Sequence, residues 1–128
     1  MFAKTVPVAF GKKQYHLAYN AWAMFRIQDL SEEKEVMEIL AARGIGDFSL
    51  FCKAAGIMSE AAERIRRYEG EREQDTLAEE EIFNTAQPID ILELKRAMLE
   101  AVAYGYGREL GGEEEIDLGL AELQKKTG

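Results

Sequence analysis

The sequence contains very little of the side-chain chemistry on which enzymes and metalloproteins most often depend. Cysteine and histidine occur once each among 128 residues, as Cys52 and His16. A single cysteine cannot form an intrachain disulfide, and it excludes a zinc site built from several cysteines. Such sparse use of cysteine is typical of a chain that folds in a reducing compartment, so the cytoplasm is the expected location.

Long apolar runs are absent as well. No stretch approaches the roughly 18 apolar residues that a membrane span needs. The first residues include Lys4 but lack the continuous apolar region of a signal peptide. We therefore expect neither export through a signal peptide nor insertion into a membrane. With 47% hydrophobic residues and charges of both signs, the chain has the composition of one folded domain.

Acidic residues are missing before Asp29, and this absence divides the charge of the chain. The stretch before Asp29 carries four bases and no acid, whereas the rest carries 12 bases against 24 acids, so the net charges are +4 and -12. A predominantly acidic chain argues against nucleic-acid binding, for which a basic surface is expected. The opposed charges would suit head-to-tail contacts between protein molecules, including copies of this chain.

The residue pattern predicts a mainly α fold with a small N-terminal β-hairpin, an α+β arrangement in which a compact bundle of helices packs on the hairpin. Residues 4–10 and 14–19 alternate apolar and polar side chains, which indicates two strands. Gly11, Lys12 and Lys13 between them supply a turn that stays in water. Pro7 lacks an N–H group, so its strand is expected at an edge.

Six helices are expected, and most begin at a capping residue. The predicted N-caps are Asn20, Ser31, Asp47, Ser59 and Thr76, with Pro88 before the sixth helix, and the predicted ends are Gly44, Gly56 and Gly70. The first helix, with its broad apolar surface, is expected to pack on the hairpin. The sixth, over residues 89–105, is expected to be the longest helix and the centre of the bundle.

The C-terminal residues are predicted to form a separate acidic tail. Residues 1–110 form the expected helical domain, and the Gly111-Gly112 pair separates them from residues 111–128. Deletion of residues 111–128 is therefore expected to leave the domain folded. The tail contains four large apolar side chains among its charges, and these are the candidate protein-binding residues: Ile116, Leu118, Leu120 and Leu123. They suit docking on the same chain and capture of a partner equally well.

No combination of residues indicates catalysis, a metal site or a bound cofactor. His16 is expected to face solvent, because no acid precedes Asp29 to orient it as a base. Cys52 lies in an apolar stretch, which favours a buried side chain over a reactive thiol. The basic run at Arg64, Arg66 and Arg67 alternates with glutamates, Glu63 among them, which favours a solvated helix face with internal ion pairs over a nucleic-acid site.

The opening segment Val-Pro-Val-Ala-Phe-Gly-Lys-Lys-Gln-Tyr-His-Leu-Ala-Tyr-Asn, residues 6–20, resembles the start of tail assembly chaperones of long-tailed bacteriophages (siphophages). In that family a strand, a Gly-Lys turn and a strand containing Tyr-x-Leu lead into a first helix. The remainder of the chain is similar in layout: helices of comparable length, a last long helix that ends in small residues, and a charged trailing segment, here Glu-Ile-Asp-Leu-Gly-Leu.

The resemblance implies a non-catalytic protein of the host cytoplasm that binds the tape measure protein and recruits tail tube subunits around it. Such a chaperone is lost from the finished tail and is not expected in the mature virion. A longer form is often made in this family by ribosomal frameshifting near the end of the frame, where Lys125-Lys126 stands. The alternative is a structural virion component, such as a head-tail connector or a tail completion protein. A regulator that binds DNA through the arginine run is a third hypothesis.

Overall fold

The computed structural model describes residues 3–72 and 74–107 and confirms the predicted mainly helical fold with an N-terminal hairpin. The hairpin consists of β1 (Val6–Phe10) and β2 (Lys13–Leu17), which pair antiparallel with Val6 opposite Leu17 and Phe10 opposite Lys13. Gly11 adopts a φ of 62°, a left-handed conformation that glycine accepts without strain. The turn therefore follows the sequence pattern, although each strand is shorter than the alternation suggests.

Two short helices follow the hairpin. In α1 (Ala21–Gln28), the Asn20 side chain accepts a hydrogen bond from the Ala23 N–H at 2.9 Å, so the predicted N-cap is confirmed. The second helix, α2 (Val36–Ala41), begins five residues later than Ser31, the predicted cap. The Ser31 hydroxyl instead accepts from the Glu33 N–H in a local turn, and the Glu38 side chain caps the Glu35 N–H at the true start.

The third and fourth predicted helices are one continuous helix, α3 (Ile45–Tyr68), so the predicted break at Gly56 is wrong. Glycine costs an α-helix about 1 kcal/mol relative to alanine, a penalty that tertiary packing can offset. A Cβ atom at Gly56 would lie 3.3 Å from the Leu77 carbonyl oxygen, so the missing side chain allows the following segment to pack closely on the helix. Gly70, with a φ of 83°, follows the end of α3 as predicted.

The chain then forms α4 (Glu79–Thr85) and α5 (Pro88–Gly105). The start of α5 agrees with the prediction from Pro88, which occupies the first turn, where a missing N–H costs nothing. The α4 helix begins after Ala78, so Thr76 is not its cap. At the end of α5, a Cβ atom on Gly105 would overlap the carbonyl oxygen of Tyr19, which explains a small residue where the helix meets the exit of the hairpin.

Helix α3, and not α5, is the centre of the fold. It has 24 residues against 18 in α5, and it packs against β2 and against α1, α2, α4 and α5. The hairpin is covered by α3 on β2 and by α5 on β1, whereas α1 packs mainly against α3. The expectation that α1 covers the sheet is therefore wrong, and Phe25 of α1 remains 59% exposed.

Candidate protein-binding surface

The four candidate residues of the sequence analysis, Ile116, Leu118, Leu120 and Leu123, lie outside the residues that the structure describes. The proposed division at residue 110 lies outside them as well. Within the described part of the chain, two features stand apart from an ordinary core and surface. One is a polar row on α3 that contains the buried Ser59 and Glu63, and the other is an exposed apolar segment at the α4–α5 junction.

The polar row consists of Gly56, Ser59, Glu63 and Arg66, whose spacing places them on one face of α3. The Ser59 hydroxyl accepts a hydrogen bond from the Leu77 N–H at 2.8 Å, and Glu63 Oε1 accepts one from the Gln74 N–H at 2.8 Å. Both acceptors are buried. The row therefore holds the backbone that connects α3 to α4, and Ser59 satisfies the N–H of Leu77, which would otherwise be buried without a partner.

Glu63 is the most unexpected member of this row, because the sequence predicts a solvated glutamate and its side chain is only 1% exposed. Its two carboxylate oxygens lie 3.0 and 3.2 Å from Arg66 Nη1. The guanidinium also donates through Nε to Glu71 at 2.8 Å, and the Glu71 and Glu63 carboxylates together raise the pKa of Arg66. The carboxylate of Glu63 is thus paired and hydrogen-bonded, the condition under which a buried charge is tolerated.

His16 contacts this cluster and is not the solvent-facing residue that the strand pattern predicts. Its Nδ1 atom lies 3.8 Å from Glu63 Oε2 and 3.5 Å from Arg66 Nη1, and its side chain is 21% exposed. The acid beside it comes from α3, 47 positions along the chain, so no local pattern could reveal it.

An open cleft of about 580 Å³ lies beside the polar row, lined in part by Lys13, Arg66, Arg72 and Asp75. Much of its charge is neutralised within the fold, since Lys13 pairs with Asp75 at 3.6 Å and Arg66 pairs with Glu63 and Glu71. We assign this row and its cleft a structural role, namely holding the segment that leads into α4.

Cys52 is buried, as the sequence predicts. Burial, with a smaller contribution from the Glu79 carboxylate, raises the pKa of the thiol to about 11. A thiol in that state is a poor nucleophile near neutral pH, because the thiolate is the reactive form. Among the described residues, no group of three or more His, Cys, Asp or Glu side chains could hold a metal ion.

The exposed apolar feature is residues 79–93, which we call the acidic apolar segment. Three large apolar side chains of the segment are exposed: Phe83 by 41%, Ile89 by 57% and Leu92 by 63%. The same fifteen positions contain five acids and no base, namely Glu79, Glu80, Glu81, Asp90 and Glu93. Exposed apolar groups set among charges of one sign are typical of a protein-binding surface.

Phe83 belongs to a cluster of aromatic side chains that extends onto α3. Its ring stacks on that of Phe48 in α3, with ring centroids 5.4 Å apart, and Phe48 in turn contacts the ring of Phe51 at 6.3 Å. Ile45, one helical turn before Phe48, is 72% exposed. We call Ile45, Phe48 and Phe83 the Phe48–Phe83 patch. Phe51 is fully buried, so the patch is continuous with the core and rigidly supported from beneath.

A second aromatic group lies at the contact between α1 and α3. The Trp22 ring is covered by the guanidinium of Arg64 at 4.3 Å and lies 5.6 Å from that of Arg26. Arg64 also pairs with Glu60 at 3.2 Å, one turn earlier on α3, as the sequence predicts for this basic run. These contacts make Trp22 and Arg64 partners of each other and account for their positions within the fold.

The apolar surface was not recognisable from the sequence because it breaks the expected periodicity. Leu92 and Phe83 belong to apolar runs that predict buried helix faces, yet both side chains are exposed. Tyr68, grouped by periodicity with the buried Ala61 and Ile65, is likewise 81% exposed. Periodicity identifies the apolar stripe of a helix but cannot tell how much of that stripe a neighbouring element covers.

No protein-family model, curated protein or solved structure matches this chain. In the described part of the chain, no helix is long and apolar enough to cross a membrane. The positive findings are therefore the helical fold on a two-stranded hairpin and an apolar surface of acidic character. They define the class of protein as a small, mainly helical domain with an N-terminal hairpin.

Proposed function

We propose that this protein is a tail assembly chaperone of a bacteriophage, which binds the tape measure protein and recruits tail tube subunits in the host cytoplasm. Two kinds of support bear on the proposal. One is the resemblance of residues 6–20 to the start of that family. The other is the acidic apolar segment, the single structural observation that carries the proposal.

A chaperone for a long helical protein must cover apolar stripes until the finished assembly buries them. Phe83, Ile89 and Leu92 offer exposed apolar side chains for that contact. The five neighbouring carboxylates keep the surface hydrated when it is empty. A non-catalytic role is part of the same proposal, and it is supported by three residues of the described part of the chain, His16, Glu63 and Cys52, which are engaged in the fold.

The direct test is co-expression of the chain with fragments of the tape measure protein encoded nearest to its gene, followed by purification of the complex. We expect a stable complex at micromolar concentration, and no complex with a matched fragment of the major head protein. Failure to bind any tape measure fragment would exclude the proposed function. Detection of the chain in purified mature virions would instead favour the alternative of a structural virion component.

Three variants, one of them a matched control, connect the binding test to the structure. Phe83→Ser and Leu92→Ser change exposed residues of the acidic apolar segment, whereas Phe25→Ser changes an equally apolar, 59% exposed residue of α1. We expect the first two to weaken the complex and the third to leave it intact. Equal loss in all three would indicate that the loss of binding is not specific to this segment.

A further inference from the structure

The acidic apolar segment has a property that narrows the chemistry of its partner. Exposed apolar surface alone would accept any amphipathic helix, but the surroundings of the Phe48–Phe83 patch are strongly asymmetric in charge. Glu79 and Glu80 lie four and three positions before Phe83, respectively, so their side chains project on the same side of α4 as the exposed ring. Both residues are exposed.

The other border of the patch, on α3, is mixed in charge. Arg43 lies two residues before Ile45, and Lys34 is paired with Asp47 at 2.8 Å. In the part of the chain that contains α4 and α5, residues 74–107, the bases are Lys95 and Arg96. Both follow the end of the acidic apolar segment. Residues 74–107 contain seven acids and these two bases, so the part of the chain that forms the α4 side of the patch carries a net negative charge.

We propose that the Phe48–Phe83 patch binds a basic amphipathic helix, whose apolar stripe covers Ile45 and Phe83 and whose lysine or arginine residues face Glu79 and Glu80. The proposal rests on the proposed function for the identity of the natural partner, the tape measure protein, but the chemistry follows from charge complementarity. An acidic helix with the same apolar stripe would bring like charges together and is rejected.

The rigidity of the patch favours this mode of binding. Phe83 is held by its stacking on Phe48, and Phe48 is backed by the buried Phe51, so little side-chain freedom is lost when a partner binds. Aromatic side chains in such supported positions are the usual centres of binding energy. The surrounding carboxylates would mainly set the association rate and the choice of partner.

The test uses the full chain and two designed, fluorescein-labelled amphipathic peptides that share one leucine stripe. One peptide carries lysine beside the stripe and the other carries glutamate. We expect the fluorescence anisotropy of the lysine peptide to titrate, with affinity falling several-fold between low and physiological salt. The glutamate peptide is expected to bind at least about tenfold more weakly, the discrimination that about 1.4 kcal/mol supplies.

Variants locate the site. Glu79→Gln with Glu80→Gln neutralises the border of the patch, and Glu32→Gln with Glu33→Gln makes the same change in the exposed loop before α2. The first pair is expected to weaken the lysine peptide by roughly fivefold and to reduce its salt dependence, with little change for the second pair. Phe83→Ser should abolish measurable binding, and circular dichroism would verify that each variant remains helical.

The proposal is overturned if the two peptides bind equally, if neither binds, or if the Glu32 and Glu33 substitutions have the larger effect. Self-association that is lost in Phe83→Ser without peptide binding would overturn it too, by assigning the patch to a second copy of the chain. The outcome is separable from the proposed function. A tape measure complex that tolerates Phe83→Ser would support the proposed function and reject this binding site. Peptide binding without a tape measure complex would support this binding site and reject the proposed function.

Discussion

The polar row of α3 and the acidic apolar segment reverse the usual relation between polarity and burial. In the row, Ser59 and Glu63 are buried to 0% and 1% exposure. In the segment, Ile89 and Leu92 are more than half exposed. The difference between the two regions is what the side chains contact. The polar row has donors from its own chain, whereas the apolar segment has no equivalent cover among the described residues.

This comparison assigns the two regions different roles. A buried carboxylate with complete hydrogen bonding holds a particular backbone path, because any other path leaves it unpaired. An exposed apolar side chain contributes little to folding, since most of its surface stays in water. Substitutions in the polar row should therefore change stability, and substitutions in the segment should change binding.

The largest effect is expected from Glu63→Ala. The substitution leaves the Gln74 N–H without its acceptor and removes one of the two carboxylates that pair with Arg66. A single hydrogen bond to a charged group typically contributes about 1.5–3 kcal/mol, and this carboxylate accepts several. Urea denaturation would measure the change in the free energy of unfolding. Glu60→Ala is the matched control, because Glu60 is 45% exposed and its pair with Arg64 is worth about 1 kcal/mol at most. Equal losses at the two positions would contradict a structural role for Glu63.

A smaller effect is expected from Ser59→Ala. The Leu77 N–H then loses its buried acceptor, which costs about 1–3 kcal/mol. Hydrogen exchange of the Leu77 amide, followed by NMR, would report the loss directly as faster exchange. Ser49→Ala, at a partly exposed position near the start of the same helix, serves as the control. Unchanged exchange at Leu77 would show that the hydroxyl does not hold the connection to α4.

The smallest change in stability is expected at an exposed position of the acidic apolar segment. Leu92→Ser alters a side chain that is already 63% exposed, so thermal denaturation should give a free energy of unfolding within about 0.5 kcal/mol of the parent. Ile91→Ser, at the neighbouring and partly buried position packed against the core, should be clearly less stable. A large loss for Leu92→Ser would mean that the segment belongs to the core and would remove the basis for a binding surface.

The elements that the sequence predicted well are those with local signals. The hairpin turn follows from Gly11 between two alternating stretches, and the starts of α1 and α5 follow from Asn20 and Pro88. Each of these signals acts through neighbours within a few residues. The break at Gly56 and the cap at Ser59 also looked local, but both residues serve the distant Leu77. Both predictions are wrong for the same reason: each residue makes a tertiary contact with Leu77 and does not end or begin a helix.

The candidate binding residues likewise divide into those that the sequence singled out and those whose exposure depends on the fold. The tail residues Ile116, Leu118, Leu120 and Leu123 were singled out by their spacing, and they lie outside the described residues. The exposed positions of Phe83, Ile89 and Leu92 depend on which faces of α4 and α5 the rest of the fold covers. Residues 79–93 could have been noticed for one property of the sequence alone, five acids without a base. The sequence alone could not show which apolar side chains lie exposed beside those acids.

By itself, the sequence determined the class of fold, the hairpin, the helical character of most of the chain and the buried state of Cys52, because alternation, capping and apolar runs act over short distances. The tertiary structure decided that α3 is continuous and central, that Glu63 is buried beside His16, and that Phe83 and Leu92 are not. Burial is a property of the neighbours that reach a side chain, and those neighbours come from elsewhere in the chain.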